Sequence, residues 1–336
     1  MINVGIFGAT GYAGEELIGI LLKHPQVKIT YLTAKVDRPV PIAEIFPKLG
    51  NQLDLICGFP KVKEASDKCE LVFLALPHTA SMDFVPQLLK AGKKVVDLSA
   101  DYRLQDIKVY EKFYKIMHKD KANIKEAIYG LPELYREDIK KSRLIANPGC
   151  YPTAAILGLA PLVSCGEIDF DSIIIDAKSG FSGAGRNFAV SQSSEDFKAY
   201  KVNLHQHAPE IDQELSKLAG KKIKVTFVPH LLPLERGILA TIYVKKIRNS
   251  KSEIINLLSL YKKFYKKEPF VRILEDGSFP QLKDVVQTNF CNIGIKEEPE
   301  SVIIIVAIDN LLKGASGQAV QNMNIMYKFC EQTGLV

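Results

Sequence analysis

A single cysteine stands between a turn and a predicted helix, in the stretch NPGCYPT. Breaker residues on both sides of Cys150 indicate that this position is held for its backbone geometry. The residues after it have a helical pattern, and a helix dipole favours the thiolate of a cysteine at the N-terminus. A thiolate can attack an acyl carbon and form a thioester, so Cys150 is a candidate nucleophile. A cysteine that only packs is the alternative.

Two histidines could supply the acid and base that a thiol nucleophile needs. His205 and His207 lie in HQHAPEI, before a predicted helix with Pro209 and Glu210 in its first turn. A His-x-His pair can also chelate a metal, but no third ligand accompanies it at metal spacing, so we expect no metal. We favour His207 as the acid–base residue, because it adjoins the helix start that would fix its orientation.

Three glycines follow the first predicted strand in the stretch GATGYAG, namely Gly8, Gly11 and Gly14. In this context glycines let the backbone approach a pyrophosphate at a helix N-terminus. Tight turns between a strand and a helix also use them, but the N-terminal βαβ context favours a dinucleotide site. We assign Thr10 and Tyr12 of the same loop to this site.

The end of the second predicted strand bears on which dinucleotide binds. NAD-specific sites usually place Asp or Glu there, to hold the ribose 2′-hydroxyl. Here the strand ends at Thr33, and Lys35 and Arg38 follow. Two cations and a hydroxyl suit a 2′-phosphate. The sequence therefore favours NADP, with two ordinary surface cations as the alternative.

Three further stretches place polar groups after predicted strands. His78 ends LVFLALPH at the sheet edge where cofactors lie, and DLSADYR presents Ser99 and Arg103 there. The stretch KSGFSGAGR is rich in Gly and Ser and could contact an anion through backbone amides. Such loops can be mere connections, but loops rich in Gly, Ser and Arg are more often functional.

Composition limits the class of protein. The 336 residues suggest about two domains, and 47% hydrophobic with 24% charged residues is typical of a soluble globular chain. We see neither an apolar run of roughly 20 residues nor a signal peptide, and expect a cytoplasmic protein without a membrane partner. The net charge of +6 is modest, and the lysine clusters lack the pattern of a nucleic-acid reader, so no nucleic acid is expected. The six cysteines form no CxxC pair, which argues against a zinc ribbon or a disulfide framework.

The elements that must position these residues fall into two groups. In the first half, strand patterns alternate with helical patterns, which predicts βαβ units and a parallel sheet. These strands are predicted at 2–7, 27–33, 71–76 and 94–98, with helices at 15–23 and 82–91. The second half is richer in β patterns, which suggests an α+β domain with a mainly antiparallel sheet. Its strands are predicted at 172–176, 222–228, 238–244 and 301–308, with helices at 209–219, 252–265 and 316–331.

Ten motifs occur along nearly the whole chain: GATGYAGEEL, FLALPH, DLSADYRL, YGLPEL, ANPGCYPTA, DAKSGFSGAGR, HQHAPEI, PHLLPLERG, PFVR and DNLLKGASGQAVQNMN. In this order they resemble the N-acetyl-γ-glutamyl-phosphate reductases of arginine biosynthesis. The glycine loop is shared with aspartate-semialdehyde dehydrogenases, whereas the combination of NPGCYPT, SGAGR and HxHxPE is much more specific. The resemblance implies an α/β fold with a Rossmann-type NADP-binding domain and an α+β catalytic domain.

The resemblance also implies an activity, namely NADP-dependent reductive dephosphorylation of N-acetyl-γ-glutamyl phosphate to N-acetylglutamate semialdehyde. It carries the nucleophile onto Cys150 and the acid–base role onto the pair His205 and His207. The family usually has an arginine between these histidines, where this sequence has Gln206. A substrate contact from that position is therefore not carried over.

Likeness to the related semialdehyde dehydrogenases extends the site. It makes Arg103 the phosphate ligand and places Asn310 and Gly314 at the nicotinamide. The full set of expected cofactor contacts adds Pro77, His78, Ser182 and Gly183, and the expected substrate contacts are Ser99, Arg103, Ser179, Arg186 and Glu210. The implied domains are 1–148 with 313–336 for NADP and 149–312 for catalysis and oligomerisation. We expect a homo-oligomer, either a dimer or a tetramer, because one face of the large second-domain sheet would otherwise be exposed.

Two other functions are compatible with parts of this pattern. A reductase of the same fold could act on a lysine-pathway aminoadipate phosphate that is linked to a carrier protein, but it would need a longer pocket and a docking surface. A noncatalytic NADP-binding regulator would keep the fold without the chemistry. The intact Cys150 and histidines argue against a regulator.

Overall fold

The computed structural model describes residues 1–186, 196–247 and 256–336. The chain divides into two compact units, and each is built on one sheet. The first unit contains Met1–Pro148 and Ala315–Val336, and the second contains Gly149–Gly314.

The sheet of the first unit has eight strands. They are β1 Ile2–Phe7, β2 Val27–Thr33, β3 Val40–Pro41, β4 Ile56–Gly58, β5 Leu71–Leu74, β6 Lys94–Asp97, β7 Ile128–Tyr129 and β8 Leu144–Ala146. Their order is β3-β4-β2-β1-β5-β6-β8-β7, and every neighbouring pair is parallel except β3 with β4. The connections between strands run in opposite directions on the two sides of the boundary between β1 and β5. Open parallel sheets bind ligands at such a boundary, beyond the carboxyl ends of the strands.

Both faces of this sheet are covered. The helices of the unit are α1 Tyr12–Leu22, α2 Ile42–Ile45, α3 Val62–Lys68, α4 Val85–Lys90, α5 Ile107–Tyr114, α6 Pro132–Ile139 and α10 Gly317–Met326. Along β5, Leu71 and Phe73 belong to one apolar cluster, whereas Val72 and Leu74 belong to another. A strand that alternates between two buried faces needs an unbroken apolar run, which is the LVFL of the sequence.

The sheet of the second unit has seven strands within the described residues. They are β9 Ile168–Gly180, β10 Lys198–Ala199, β11 Thr226–Leu232, β12 Ile238–Lys246, β13 Val271–Ile273, β14 Cys291–Glu297 and β15 Ser301–Ile308. Their order is β10-β11-β9-β12-β15-β14-β13, and only β9 with β11 and β13 with β14 run parallel. The predicted fold class, with a mainly antiparallel second sheet, is confirmed.

Within the described residues, the helices of the second unit are α7 Cys150–Cys165, α8 Ala208–Ala219 and α9 Leu257–Phe264. Helix α7 packs so closely on the sheet that a Cβ on Gly158 would lie 2.8 Å from Val306 Cγ2 and 2.9 Å from Ile242 Cδ1. The Tyr261 hydroxyl donates a 2.6 Å hydrogen bond to the Gly158 carbonyl from the α9 side. Helix α7, which begins at Cys150, is thus fixed to the sheet and to α9.

Most predicted elements occur, with some shifted bounds. The strand predicted at 222–228 begins only at Thr226, because the amides of Ile223 and Val225 donate to the Ser216 hydroxyl and Asp212 carboxylate of α8. The helix predicted at 82–91 starts with a 3-10 turn, Ser81–Asp83, before α4. The last helix ends at Met326 rather than 331. Of the helix predicted at 252–265, residues 252–255 lie outside the described part of the chain. None of the helices in the described ranges has the length and apolar character needed to cross a membrane.

Candidate active site

Cys150 is the first residue of α7, and Gly149 is the N-cap. The Gly149 amide donates a 2.8 Å hydrogen bond to Glu210 Oε1, and the Glu210 side chain is 1% exposed. The Gly149 carbonyl accepts from both the amide and the hydroxyl of Thr153, each at 2.9 Å. The turn before the half-buried Cys150 is therefore held on two sides, by a residue of α8 and by the first turn of α7.

Gly314 lies directly against Cys150. A Cβ on Gly314 would lie 2.7 Å from Cys150 Cβ and 3.2 Å from its Cα. The Gly314 amide donates to the Asp309 carbonyl at 2.9 Å, and the buried Asp309 carboxylate pairs with Arg236 at 3.1 Å. Because the segment is fixed in this way, it can pass the cysteine only with glycine at this position.

His205 and His207 lie in the turn that leads into α8, with His207 as its N-cap. The His207 amide donates to His205 Nδ1 at 3.1 Å, so a neutral His205 carries its proton on Nε2. That Nε2 lies 3.4 Å from the Tyr200 hydroxyl, which donates to the Tyr151 hydroxyl at 3.4 Å. The Tyr151 hydroxyl in turn donates to the His230 carbonyl at 3.0 Å. Both ring nitrogens of His205 therefore have partners in a chain of hydrogen bonds.

Tyr151 joins the cysteine to the histidines. It follows Cys150 on α7, and its ring centroid lies 5.6 Å from that of His205 and 5.9 Å from that of His207, both edge to face. The two imidazole centroids are 4.7 Å apart. Burial raises the pKa of Tyr151, with further contributions from Tyr200 and Cys150, and burial raises the pKa of Tyr200 to about 12. Both phenols therefore remain neutral hydrogen-bonding groups near pH 7.

The loop after β9 gathers several of the predicted contacts. Asn310 Nδ2 donates to Ser182 Oγ at 2.9 Å, and Asn310 Oδ1 accepts from the Gly237 amide at 2.6 Å. A Cβ on Gly183 would lie 3.6 Å from Ser179 Oγ and 3.7 Å from Asn310 Nδ2. The four predicted residues at 179, 182, 183 and 310 thus share one polar cluster. Arg186 is exposed at the end of the same loop.

The glycine loop of the first unit has the geometry of a phosphate cradle. Gly8 has φ +88°, and a Cβ there would lie 2.1 Å from the Ala75 carbonyl oxygen. A Cβ on Gly14 would lie 2.2 Å from the Gly8 carbonyl oxygen, so α1 lies against the loop. At Gly11, the N-cap of α1, a Cβ would meet only the Gly8 oxygen within 4 Å, at 3.7 Å. Gly8 and Gly14 therefore allow neighbouring backbone segments to pack closely, and Gly11 leaves open space in front of the N-terminus of α1.

The end of β2 adjoins this cradle. The Thr33 carbonyl accepts from the amides of Gly8 and Ala9, and the buried Thr33 Oγ1 has no hydrogen-bond partner among the described residues. Lys35 and Arg38 are exposed, and the 3.6 Å pair of Arg38 with Glu44 is a surface contact. Thr10 and Tyr12 are half-buried in the loop. An unpartnered hydroxyl, an open helix start and nearby cations fit a dinucleotide.

Ser99 and Arg103 are held in the loop after β6. Arg103 is 5% exposed, its Nε donates to the Asn147 carbonyl and its Nη2 donates to the Leu98 carbonyl, both at 2.7 Å. The Ser99 hydroxyl donates to Asp97 Oδ2 at 2.8 Å. The substrate contacts expected of both residues stay predictions, and the bond of Ser99 to Asp97 favours a role within the loop.

Pro77 and His78 follow β5 and are exposed. His78 Nδ1 accepts a 3.1 Å hydrogen bond from the Ala100 amide of the next loop. His78 therefore lies where the sequence predicted a cofactor contact, at the carboxyl end of β5. Across the described ranges, no group of three or more His, Cys, Asp or Glu side chains could hold a metal ion.

Comparison with known proteins places the chain in a family. Residues 3–142 match the family described as "Semialdehyde dehydrogenase, NAD binding domain", and residues 150–310 match "Semialdehyde dehydrogenase, dimerisation domain". A relative named N-acetyl-gamma-glutamyl-phosphate reductase, from Desulfotalea psychrophila, is 50% identical over 100% of this chain and 98% of its own. The chain belongs to the N-acetyl-gamma-glutamyl-phosphate reductase family. Relatives of the same name from Desulforudis audaxviator and Geobacter metallireducens are 47% and 48% identical, with the same shares covered. The resemblance seen in the motifs is confirmed.

Solved structures with the same fold are aspartate-semialdehyde dehydrogenases. The Vibrio cholerae enzyme II complexed with ASA has a TM-score of 0.73 and 17% identity, with 98% of each chain covered. The Candida albicans enzyme with NADP has a TM-score of 0.71 and 16% identity, covering 97% of this chain and 98% of that one. At this identity the likeness establishes the fold alone.

Two residues of the site were missed in the sequence. Tyr151 stands next to Cys150 in NPGCYPT, so its position was a usable signal. Tyr200 belongs to none of the motifs, although it precedes His205 by only 5 residues.

Proposed function

We propose that this protein reduces N-acetyl-γ-glutamyl phosphate to N-acetylglutamate 5-semialdehyde with NADPH, releasing phosphate through a thioester on Cys150. The observation that carries the proposal is the position of Cys150. It begins a helix whose N-cap amide is bound by the buried Glu210, and Gly314 lies against it. The names and near full-length identity of the relatives support the substrate.

The first half of the reaction forms the thioester on Cys150. The Cys150 thiolate attacks the γ-acyl carbon, and the carbonyl electron pair moves onto oxygen, where backbone amides at the start of α7 stabilise it. When that pair returns, the bond from carbon to the phosphate oxygen breaks and phosphate leaves. The product of this half is a thioester on Cys150.

The second half converts the thioester to the aldehyde. Bound NADPH supplies the hydride. His207 protonates the oxygen of the resulting thiohemiacetal on Cys150 and takes the proton back as the carbon–sulfur bond breaks, which regenerates the thiolate. We assign this role to His207 because it is the N-cap of α8, which fixes its position, whereas the ring of His205 accepts from the His207 amide and contacts the Tyr200 hydroxyl. His205 then orients the turn.

We assign NADP binding to residues 1–148 with 313–336, and catalysis to residues 149–312. The glycine cradle would bind the pyrophosphate, and Thr33, Lys35 and Arg38 would bind the 2′-phosphate. The contacts proposed at Asn310 and Gly314 rest on likeness to related enzymes.

The proposal includes a homo-oligomer that is formed through the second sheet. Tyr243 and Ile174 are cross-strand neighbours on β12 and β9 and are 41% and 43% exposed. Ile303 of β15, the other neighbour of Tyr243, is half-buried. An apolar sheet face of this kind suits a second copy of the chain, in keeping with the matched dimerisation domain. Light scattering at micromolar concentration tests this, and a monomer would contradict it.

The deciding experiment is reduction of NADP in the reverse direction, with N-acetylglutamate 5-semialdehyde and inorganic phosphate. We expect a rate that depends on both and is absent in Cys150→Ala. Arsenate should replace phosphate, because its size, charge and oxygen nucleophilicity are close to those of phosphate and it can attack the thioester in the same way. A reaction that needs no oxyanion, or one that persists in Cys150→Ala, would refute the proposal. Cell fractionation would test the cytoplasmic location that we expect of a biosynthetic reductase.

A further inference from the structure

Thr79, in the loop after β5, has an unusual backbone conformation. Its φ is +75°, in the left-handed region that a β-branched residue rarely adopts. Its amide donates a 2.6 Å hydrogen bond to Asp101 Oδ1. A conformation of this kind persists only where the surroundings enforce it, and such residues cluster at functional sites.

Asp101 supplies this constraint from the neighbouring loop. Its carboxylate is fully buried and also accepts from the amides of Ser81 and Met82, at 2.9 and 3.3 Å, and from the Tyr110 hydroxyl at 2.9 Å. Three backbone amides of the segment after β5, those of Thr79, Ser81 and Met82, thus depend on one carboxylate that follows β6. Asp101 clamps the two loops at the carboxyl ends of adjacent strands.

The same clamp determines the hydrogen bonding of His78. Ala100, the residue before Asp101, donates its amide to His78 Nδ1 at 3.1 Å. A ring nitrogen that accepts carries no proton, so neutral His78 is protonated on Nε2. The imidazole is then a donor with a fixed direction. The Nε2–H group of His78 would point in a different direction if the loop at Thr79 or the turn at Ala100 moved.

We propose that Asp101 is a positioning residue for the dinucleotide cofactor. It holds Thr79 in the left-handed conformation and thereby keeps His78 as an Nε2–H donor to oxygen atoms of the cofactor beyond β5. The inference rests on the proposed function, in which this edge of the sheet binds NADP. It adds Asp101, which does not touch the cofactor, and it defines the tautomer of His78, which does.

The first test is the Asp101→Asn variant. An amide keeps the size of the side chain but directs an NH₂ group at backbone amides, so the loop should lose its anchor. We expect the NADP dissociation constant, measured by fluorescence titration, to rise about tenfold, the loss of roughly one hydrogen bond to a charged ligand. In the cofactor-free protein, the imidazole nitrogen NMR signals of His78 should change from the pure Nε2–H pattern to a tautomer mixture.

Thr79→Gly provides the second test, because glycine adopts positive φ without strain. If Asp101 acts by holding Thr79, adding Thr79→Gly to Asp101→Asn should recover most of the lost affinity. Tyr110→Phe is the matched control, since it removes one donor to Asp101 but none of the backbone amides of the loop after β5. The NADP dissociation constant of Tyr110→Phe should stay within about twofold of that of the wild-type protein.

Histidine variants keep the inference testable if Asp101→Asn does not fold. His78→Gln places a donor near the Nε2 position and should bind NADP better than His78→Asn, whose amide matches Nδ1. An Nδ1–H tautomer in the unchanged protein, or a folded Asp101→Asn with unaltered affinity and His78 signals, would overturn the inference. Failure of the unchanged protein to bind NADP would instead refute the proposed function, because the tautomer is measured without cofactor.

Discussion

Replacing Gly314 by alanine should damage the chemistry of Cys150 with little effect on folding. The added Cβ would lie 2.7 Å from Cys150 Cβ, whereas carbon atoms in contact prefer about 3.5 Å. One of the two segments must therefore move by about 0.8 Å. The Gly314 segment is held by Asp309, so we expect a substantial part of the shift to fall on the first turn of α7.

The size of the effect follows from this displacement. A misplacement of about 1 Å at a reacting group can cost roughly 10²-fold in rate, so Gly314→Ala should lose about 10- to 100-fold. The best assay is the release of the first equivalent of phosphate from N-acetyl-γ-glutamyl phosphate without NADPH. This measures acylation of Cys150 alone, and a weakened cofactor contact at residue 314 cannot contribute to it.

Gly19→Ala is the matched control. Gly19 lies within α1, a Cβ there would meet nothing within 4 Å, and alanine should stabilise the helix by roughly 0.5–1 kcal/mol. Its phosphate release should equal that of the unchanged protein. If Gly314→Ala melts normally and releases phosphate within about twofold of the control, the contact with Cys150 does not constrain the nucleophile.

Three other outcomes are expected. Cys150→Ala should bind NADPH but form no acyl-enzyme. An alkylating agent should inactivate the wild-type enzyme by labelling Cys150 first, since a thiol at a helix start should ionise below the usual pKa of roughly 8.5. Inactivation through another cysteine would contradict this. His207→Ala should lose about 10²–10⁴-fold in kcat and His205→Ala less, so the reverse order in steady-state rates would exchange their roles. Replacing Lys35 and Arg38 together by alanine should weaken NADP binding more than NAD binding at nearly constant kcat, and equal efficiency of the unchanged enzyme with both cofactors would refute the preference for NADP.

The first two strands of the first sheet were the easiest elements to predict. The runs at 2–7 and 27–33 gave strands with the same bounds, since short runs rich in apolar and β-branched residues in a βαβ context have few other interpretations. Strand β9 was predicted at 172–176 but spans Ile168–Gly180. Its outer residues, such as Asp169 and Asp171, alternate with buried Ile168 and Phe170, and this period of two was the overlooked signal.

The candidate site was predictable where its residues are close in sequence. The Thr153 hydroxyl donates to the Gly149 carbonyl one helical turn away, and this hydrogen bond holds the turn beside Cys150. Both residues belong to the motif NPGCYPT, so the motif itself encodes the contact. Contacts between residues that are distant in sequence could not be predicted. Nothing in the sequence pairs Tyr200 with Tyr151, which lies on α7, and nothing pairs Asp101 with the amide of Thr79, because segments that are distant in sequence meet only in the folded chain.

The pair His205 and His207 illustrates how the fold divides roles that the sequence leaves equal. Two imidazoles separated by one residue have the same intrinsic chemistry. The turn before α8 breaks this equivalence, because the amide of His207 is used to bind the ring of His205. Tyr200 then occupies the opposite nitrogen of His205, and Tyr151 continues the chain to a backbone carbonyl. These bonds fix the orientation of the His205 ring and support the proposed division of roles, in which His205 holds the turn and His207, the N-cap of α8, carries the proton.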